Sequence, residues 1–254
     1  MKKVIFNTIM FLLCIHIYAQ KNCGSLLNLN ELQQTDTARY QRIMGLENRV
    51  QEVLNNPTLR GSLQSTIYIP VVVHIVYNHH TQNISDAQVY SQIQVLNEDF
   101  RRLNADKVNT PNAFASLAGD ANIQFVLATK DLYGNNTTGI TRTFTSQNKF
   151  YQNDNVKFTV KGGKNGWSPY RYLNIWVCNL FDSNDNELLG YAQFPSELYW
   201  SPETDGVVIN YKYFGRNGSA VSPYDKGRTA THEIGHWLNL RHIWGDDDPN
   251  NDRG

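Results

Sequence analysis

The stretch "THEIGHWLNLRHIWGDDD", Thr231 to Asp248, holds three histidines and one glutamate within eleven residues. On a helix, His232 and His236 are four apart and project from one face, so that both imidazoles can reach a single zinc ion. Glu233 lies beside them, placed to take a proton from a metal-bound water and to pass it to a leaving amine. Structural zinc fills all four positions with residues, whereas catalytic zinc takes three and keeps one for water, so a third ligand is required. His242 supplies it if the helix ends near Asn239 and the chain then turns sharply. Such a turn needs positive φ, which glycine adopts most freely and asparagine next. Histidines that merely pack or cap a helix are the plainer alternative, and the rarity of this spacing weighs against it. Ile234, Trp237, Leu238 and Leu240 stand where they can pack the other faces.

The opening residues, "MKKVIFNTIMFLLCIHIYAQ", join a basic pair, Lys2 and Lys3, to an apolar run that ends at Ala19. This pattern predicts a secretory signal over 1–19 and an extracellular destination. Asn7, Thr8 and His16 interrupt a run already short of a membrane span, so no stable membrane anchor is expected. Removing residues 1–19 leaves 21 basic against 23 acidic side chains, and no basic stripe exists to attract a phosphate backbone. Nucleic acid is excluded as a partner on that ground. Cys14 leaves with the signal. Cys178, inside "YLNIWVCNL", reads as a buried inert thiol.

Beyond the signal, 20–65 reads as a separate propeptide-like segment. Ile43, Leu46, Val50, Val53 and Leu54 recur at helical spacing, with Thr35 or Thr37 as caps and Pro57 as terminator. One short helix has no core of its own and must lean on another body. Residues 66–254 read as the main domain. "TIYIPVVVHIVYN" predicts a strand buried on both faces. Ser85 and Gln88 have capping-box spacing ahead of an apolar helical stripe, Val89 to Leu103. "ANIQFVLATK", "GITRTFT", "YLNIWVCNL", "ELLGYAQFP" and "TDGVVINYKYF" predict further strands. A strand, a helix, several strands and a final helix make an α+β pattern with a mixed sheet. His79 and His80 read as a solvated loop pair.

"HEIGHWLNLRHIWGD" resembles the zinc signature of metzincin metallopeptidases and, within them, of the bacterial branch of the pappalysin family. "IPVVVHIVYN", "ISDAQVYSQIQVLNEDFRRLN", "YLNIWVCNL" and "LGYAQFP" resemble family segments in the same order, over about residues 66 to 248. The resemblance implies His232, His236 and His242 as ligands of one catalytic Zn2+ and Glu233 as general base. It also implies an N-terminal catalytic subdomain with a twisted mixed five-stranded sheet, a backing helix and an active-site helix. Leu189, Gly190, Tyr191 and Ala192 then belong to an edge strand to which an extended protein or peptide substrate adds. Two departures stand out: Asn239 replaces the usual glycine, and no methionine follows His242 to form the methionine turn of the family's C-terminal subdomain. The sequence therefore reads as the front portion of a longer peptidase.

Two features lie outside that scheme. Cys23, in "KNCGS", is a candidate latency residue, the alternatives being a disulfide partner or an incidental thiol near the signal-cleavage site: a thiolate can take the position that water needs, and Gly24 permits close approach. The motif also resembles a short Cys-Gly latency motif of pappalysin-type propeptides. Asp246, Asp247 and Asp248 are candidate Ca2+ ligands, weighed against a solvated acidic tail, which is the favoured reading. The expectation is a secreted zinc endopeptidase made as a zymogen. The rivals are a truncated, non-catalytic zinc-binding or protein-binding module, and a peptidase whose third ligand is a distant glutamate.

Overall fold

The computed structural model describes residues 23–56 and 65–242; the signal segment and Asp246, Asp247 and Asp248 lie outside them. The long apolar run forms β1 (Ile67–Tyr77), whose second half, from Val71 to Val76, is buried while its first residues are exposed. Both faces of that second half are covered, which explains the unbroken β-branched run. The helix α3 (Asp86–Phe100) follows, and the Ser85 hydroxyl accepts the Gln88 amide at 3.2 Å as the capping spacing predicts. Its stripe of Val89, Val95 and Leu96 is fully buried against the sheet.

Eleven residues make β1 long enough to pair with two short strands in succession on one side. β2 (Ile123–Leu127) runs parallel to its first half, and β3 (Ile140–Phe144) parallel to its second. On the other side lie β5 (Leu173–Cys178), then β8 (Val207–Asn210), both parallel, and finally β7 (Gly190–Ala192), antiparallel to β8 at the edge. Two-residue strands β4 (Phe150–Tyr151) and β6 (Leu180–Phe181) form a separate ladder. The mixed sheet thus has six strands rather than five, because β2 and β3 share the place of one. The predicted "ELLGYAQFP" strand shrinks to three residues, although Leu189 still extends the ladder by accepting the Asn210 amide at 2.9 Å.

Several polar groups inside this frame are fully used. His74 is buried, with Nε2 donating to Asn174 Oδ1 (3.0 Å) and Nδ1 accepting from Thr141 (2.8 Å), and burial lowers it to about 4. It is a neutral structural imidazole. Cys178 is buried as expected, and burial drives its thiol far upward. Beneath the edge strand, Lys157 is buried with its ammonium 2.6 Å from Thr204 O and 2.8 Å from Asp154, over the rings of Trp176 and Tyr191.

Asp205 carries a measurable consequence. Burial lifts its carboxyl to about 6, against the opposing pull of the Trp237 indole (3.1 Å) and the Lys157 charge. A carboxyl raised in the folded chain binds protons more tightly there, so its contribution to stability is complete below about pH 3.9 and lost as pH rises through about 6. Two pH units correspond to at most about 3 kcal/mol. Asp205→Asn is expected to flatten the stability profile between about pH 4 and pH 7, as read by denaturant unfolding at a series of pH values.

The N-terminal segment folds as two helices where one was predicted. α1 (Gly24–Thr35) begins directly after Cys23, and α2 (Thr37–Asn55) is capped by Asp36, which accepts the Arg39 amide at 3.0 Å, rather than by Thr35 or Thr37. The pair owns no core. Leu32 and Ile43, with Tyr40 beside them, pack onto Phe194 of the main body.

Candidate metal centre

The final described helix, α4 (Arg228–Trp237), packs on β7 and β8 and against α3. Ile234 anchors it in the core, Thr231 donates to Asp99 of α3 at 2.7 Å, and the Trp237 indole donates to Asp205. The helix ends where the sequence required. Asn239 has φ of 70°, in the left-handed region, and the amides of Leu238, Asn239 and Leu240 close the last turn onto Ile234, His236 and Gly235 carbonyls. Leu240, past that turn, leaves the helical stripe and is 60% exposed, so it does not pack as the periodicity suggested.

The turn brings His242 back to the helix. The three Nε2 atoms stand 3.1 Å (His232 to His236), 3.2 Å (His236 to His242) and 3.2 Å (His232 to His242) apart. Nitrogens held ~2.0–2.1 Å from one tetrahedral zinc ion are about 3.3 Å apart, so the three-histidine set fits that ion. Tautomers agree with this. His236 Nδ1 lies 2.8 Å from the Leu240 carbonyl, which only accepts, so the proton sits on Nδ1 and the Nε2 lone pair faces its neighbours.

Cys23 completes the cluster. Its Sγ is 3.4 Å from His236 Nε2, and the four candidate ligand atoms all lie within 4.8 Å of one another. A sulfur ~2.3 Å from the same tetrahedral ion would stand about 3.5 Å from each nitrogen. His79 and His80, by contrast, are exposed and distant in their loop, as expected of a solvated pair.

Glu233 is buried next to this cluster, with Cys23 Sγ 3.7 Å and 3.9 Å from its two oxygens. Burial pushes its carboxyl up to about 8, against hydrogen bonds from Ser25 and Cys23. Ser25 was not foreseen from the sequence. Its hydroxyl donates to Glu233 at 3.0 Å and accepts the Ala192 amide at 2.9 Å, so one side chain occupies both the carboxylate and an outward-facing N–H of the edge strand. Two glycines make this approach possible. A Cβ on Gly24 would stand 2.9 Å from the Gly190 carbonyl and 2.8 Å from Leu188, and one on Gly190 would stand 2.9 Å from Glu233 Cγ. Tyr191 and Ala192 are buried beneath the N-terminal helix, which packs on β7.

A helix that presents two imidazoles and a glutamate, then turns to return a third imidazole beneath a mixed sheet with an antiparallel edge strand, defines a metallopeptidase catalytic subdomain. A family model described as pregnancy-associated plasma protein-A matches residues 154–254. The structure is similar to a promirolysin mutant from Tannerella forsythia, with a TM-score of 0.80 and 62% sequence identity over 89% of this chain and 71% of that one. It is also similar to mature mirolysin of the same organism in complex with a cleaved peptide, with a TM-score of 0.69 and 70% identity over 72% of this chain and 67% of that one. The chain belongs to the pappalysin family of metallopeptidases. Among curated relatives, an extracellular metalloprotease of Arthroderma gypseum is 24% identical over 246 residues, and one of Pyricularia oryzae is 28% identical over 197. The chain spans 64% and 56% of their respective lengths. Among the described residues, no helix is long and apolar enough to cross a membrane.

Proposed function

We propose that this chain is the metal-binding part of a secreted zinc endopeptidase made as a zymogen, with 1–19 as signal, 20–65 as propeptide and 66–254 as catalytic region. One observation carries the reading: three imidazole Nε2 atoms stand at tetrahedral spacing, with one thiol 3.4 Å from His236 Nε2, beside a buried glutamate. His232, His236 and His242 hold the zinc. Bound there, zinc supplies a Lewis acid that polarises a scissile carbonyl and acidifies water. Glu233 would take the proton from the attacking water and deliver it to the leaving amine. An extended peptide pairs with the outer side of Gly190 to Ala192, and the Ala192 amide is the donor that Ser25 now occupies. The names of the relatives, extracellular metalloproteases, support export, and the cleaved peptide bound to mature mirolysin supports a peptide substrate.

The same geometry supports a latent form. Cys23 would take the fourth position, while Ser25 holds Glu233 and α1 covers the edge strand, so one short segment would displace water, base and substrate together. Zinc binding is the first test. The chain is expected to hold one zinc ion, measured by elemental analysis after gel filtration, and His242→Ala is expected to lose it. Full zinc retention by His242→Ala would instead favour a distant glutamate as third ligand.

A further inference from the structure

Glu197 lies on the turn that follows β7 and is 1% exposed. A buried carboxylate needs a compensating cation, and removal of that cation is costly. Among the described residues, its ion-pair partners both come from α2: Arg39 Nε at 2.6 Å and Arg42 Nη2 at 3.5 Å. Among the described residues, one Glu197 oxygen has no hydrogen-bond partner. The surroundings match a guanidinium rather than an ammonium. The Arg42 guanidinium carbon stands over the Trp200 ring, 4.9 Å from its centroid, and Phe194 offers an apolar floor to Ile43 and Leu32. A cation that lies over an aromatic ring while reaching a buried carboxylate is a setting that suits arginine.

We infer that Glu197, Phe194 and Trp200 form an arginine-recognising docking site on the main body, which α2 fills in this chain. Once α2 has left, the same site takes an arginine-bearing peptide segment lying beyond the edge strand. It stands close to that strand, since Gln193 and Phe194 directly continue β7. The apolar contact and the ion pairs act on one helix, so the site also sets how firmly the N-terminal segment is held. That second consequence rests on the latency reading above, whereas arginine recognition does not.

The test uses the whole chain. Arg39→Glu with Arg42→Glu is expected to raise the rate of Cys23 alkylation, resolved by peptide mass spectrometry, at least tenfold. The same variant is expected to bind an added fluorescent peptide of residues 36–56, which the unaltered chain, its site filled, binds at least tenfold more weakly. A peptide with alanine at both arginines is expected to bind the opened variant at least tenfold more weakly than the native peptide. Adding Glu197→Gln to the opened variant should abolish that preference. Unchanged alkylation, or equal binding of the two peptides, overturns the inference; the peptide-side comparison needs no alteration at Glu197 and so does not depend on how Glu197→Gln folds. The latency reading fails separately, if replacing Cys23 leaves activity unchanged.

Discussion

Glu233→Gln is expected to retain one zinc ion per chain while peptide hydrolysis by the matured enzyme falls about 10²- to 10⁴-fold. Glutamine keeps the volume of the side chain, and its amide oxygen still accepts the bond that Ser25 donates at 3.0 Å. What it loses is the ability to take a proton. Because Glu233 is adjacent to His232 without sharing the Nε2 cluster, catalysis and metal affinity are expected to separate at this position. They do not separate at His242, whose Nε2 is 3.2 Å from both other imidazoles. Near-normal turnover by Glu233→Gln, measured on a quenched peptide at saturating zinc, would refute the general-base role.

Cys23→Ala is expected to raise peptidase activity before the N-terminal segment is removed, by at least tenfold over the unaltered zymogen. The thiol sits 3.4 Å from His236 Nε2, where it would serve as a fourth zinc ligand, and alanine would leave that position to water. Ser25 and α1 still cover Glu233 and β7 in the variant, so activity should rise without reaching that of the matured form. Gly24→Ala acts by a different route in the same direction. Its Cβ meets backbone at 2.9 Å and forces the segment away from the edge strand with the thiol still present. An unchanged latent activity in both variants would remove Cys23 and its docking from the account.

The convergence of the three histidines was legible in the sequence because its geometry is local. Four-residue spacing on a helix and one residue tolerant of positive φ suffice to bring three histidines together, and Asn239 adopts that conformation. The sheet was legible where burial on both faces produced continuous apolar runs, as in β1 and β5. It was less so at the edge, where β7 is only three residues long and the side chain of Leu188, just before it, packs in a second core cluster. Side chains that act across the chain left no periodic signal. Ser25 and Glu233 are 208 residues apart, and Arg39 and Glu197 meet only because two helices without a core of their own lean on Phe194. α1 escaped notice for the same reason. Its residues carry a weak apolar stripe, and the surface that orders it belongs to another part of the chain.

The most direct measurement of the central claim is zinc K-edge X-ray absorption on the unprocessed chain, compared with Cys23→Ala. The account expects three nitrogen ligands at ~2.0–2.1 Å and one sulfur at ~2.3 Å, with the sulfur replaced by oxygen in the variant. A shell of nitrogen and oxygen alone in the unprocessed chain, indistinguishable from that of Cys23→Ala, would contradict it.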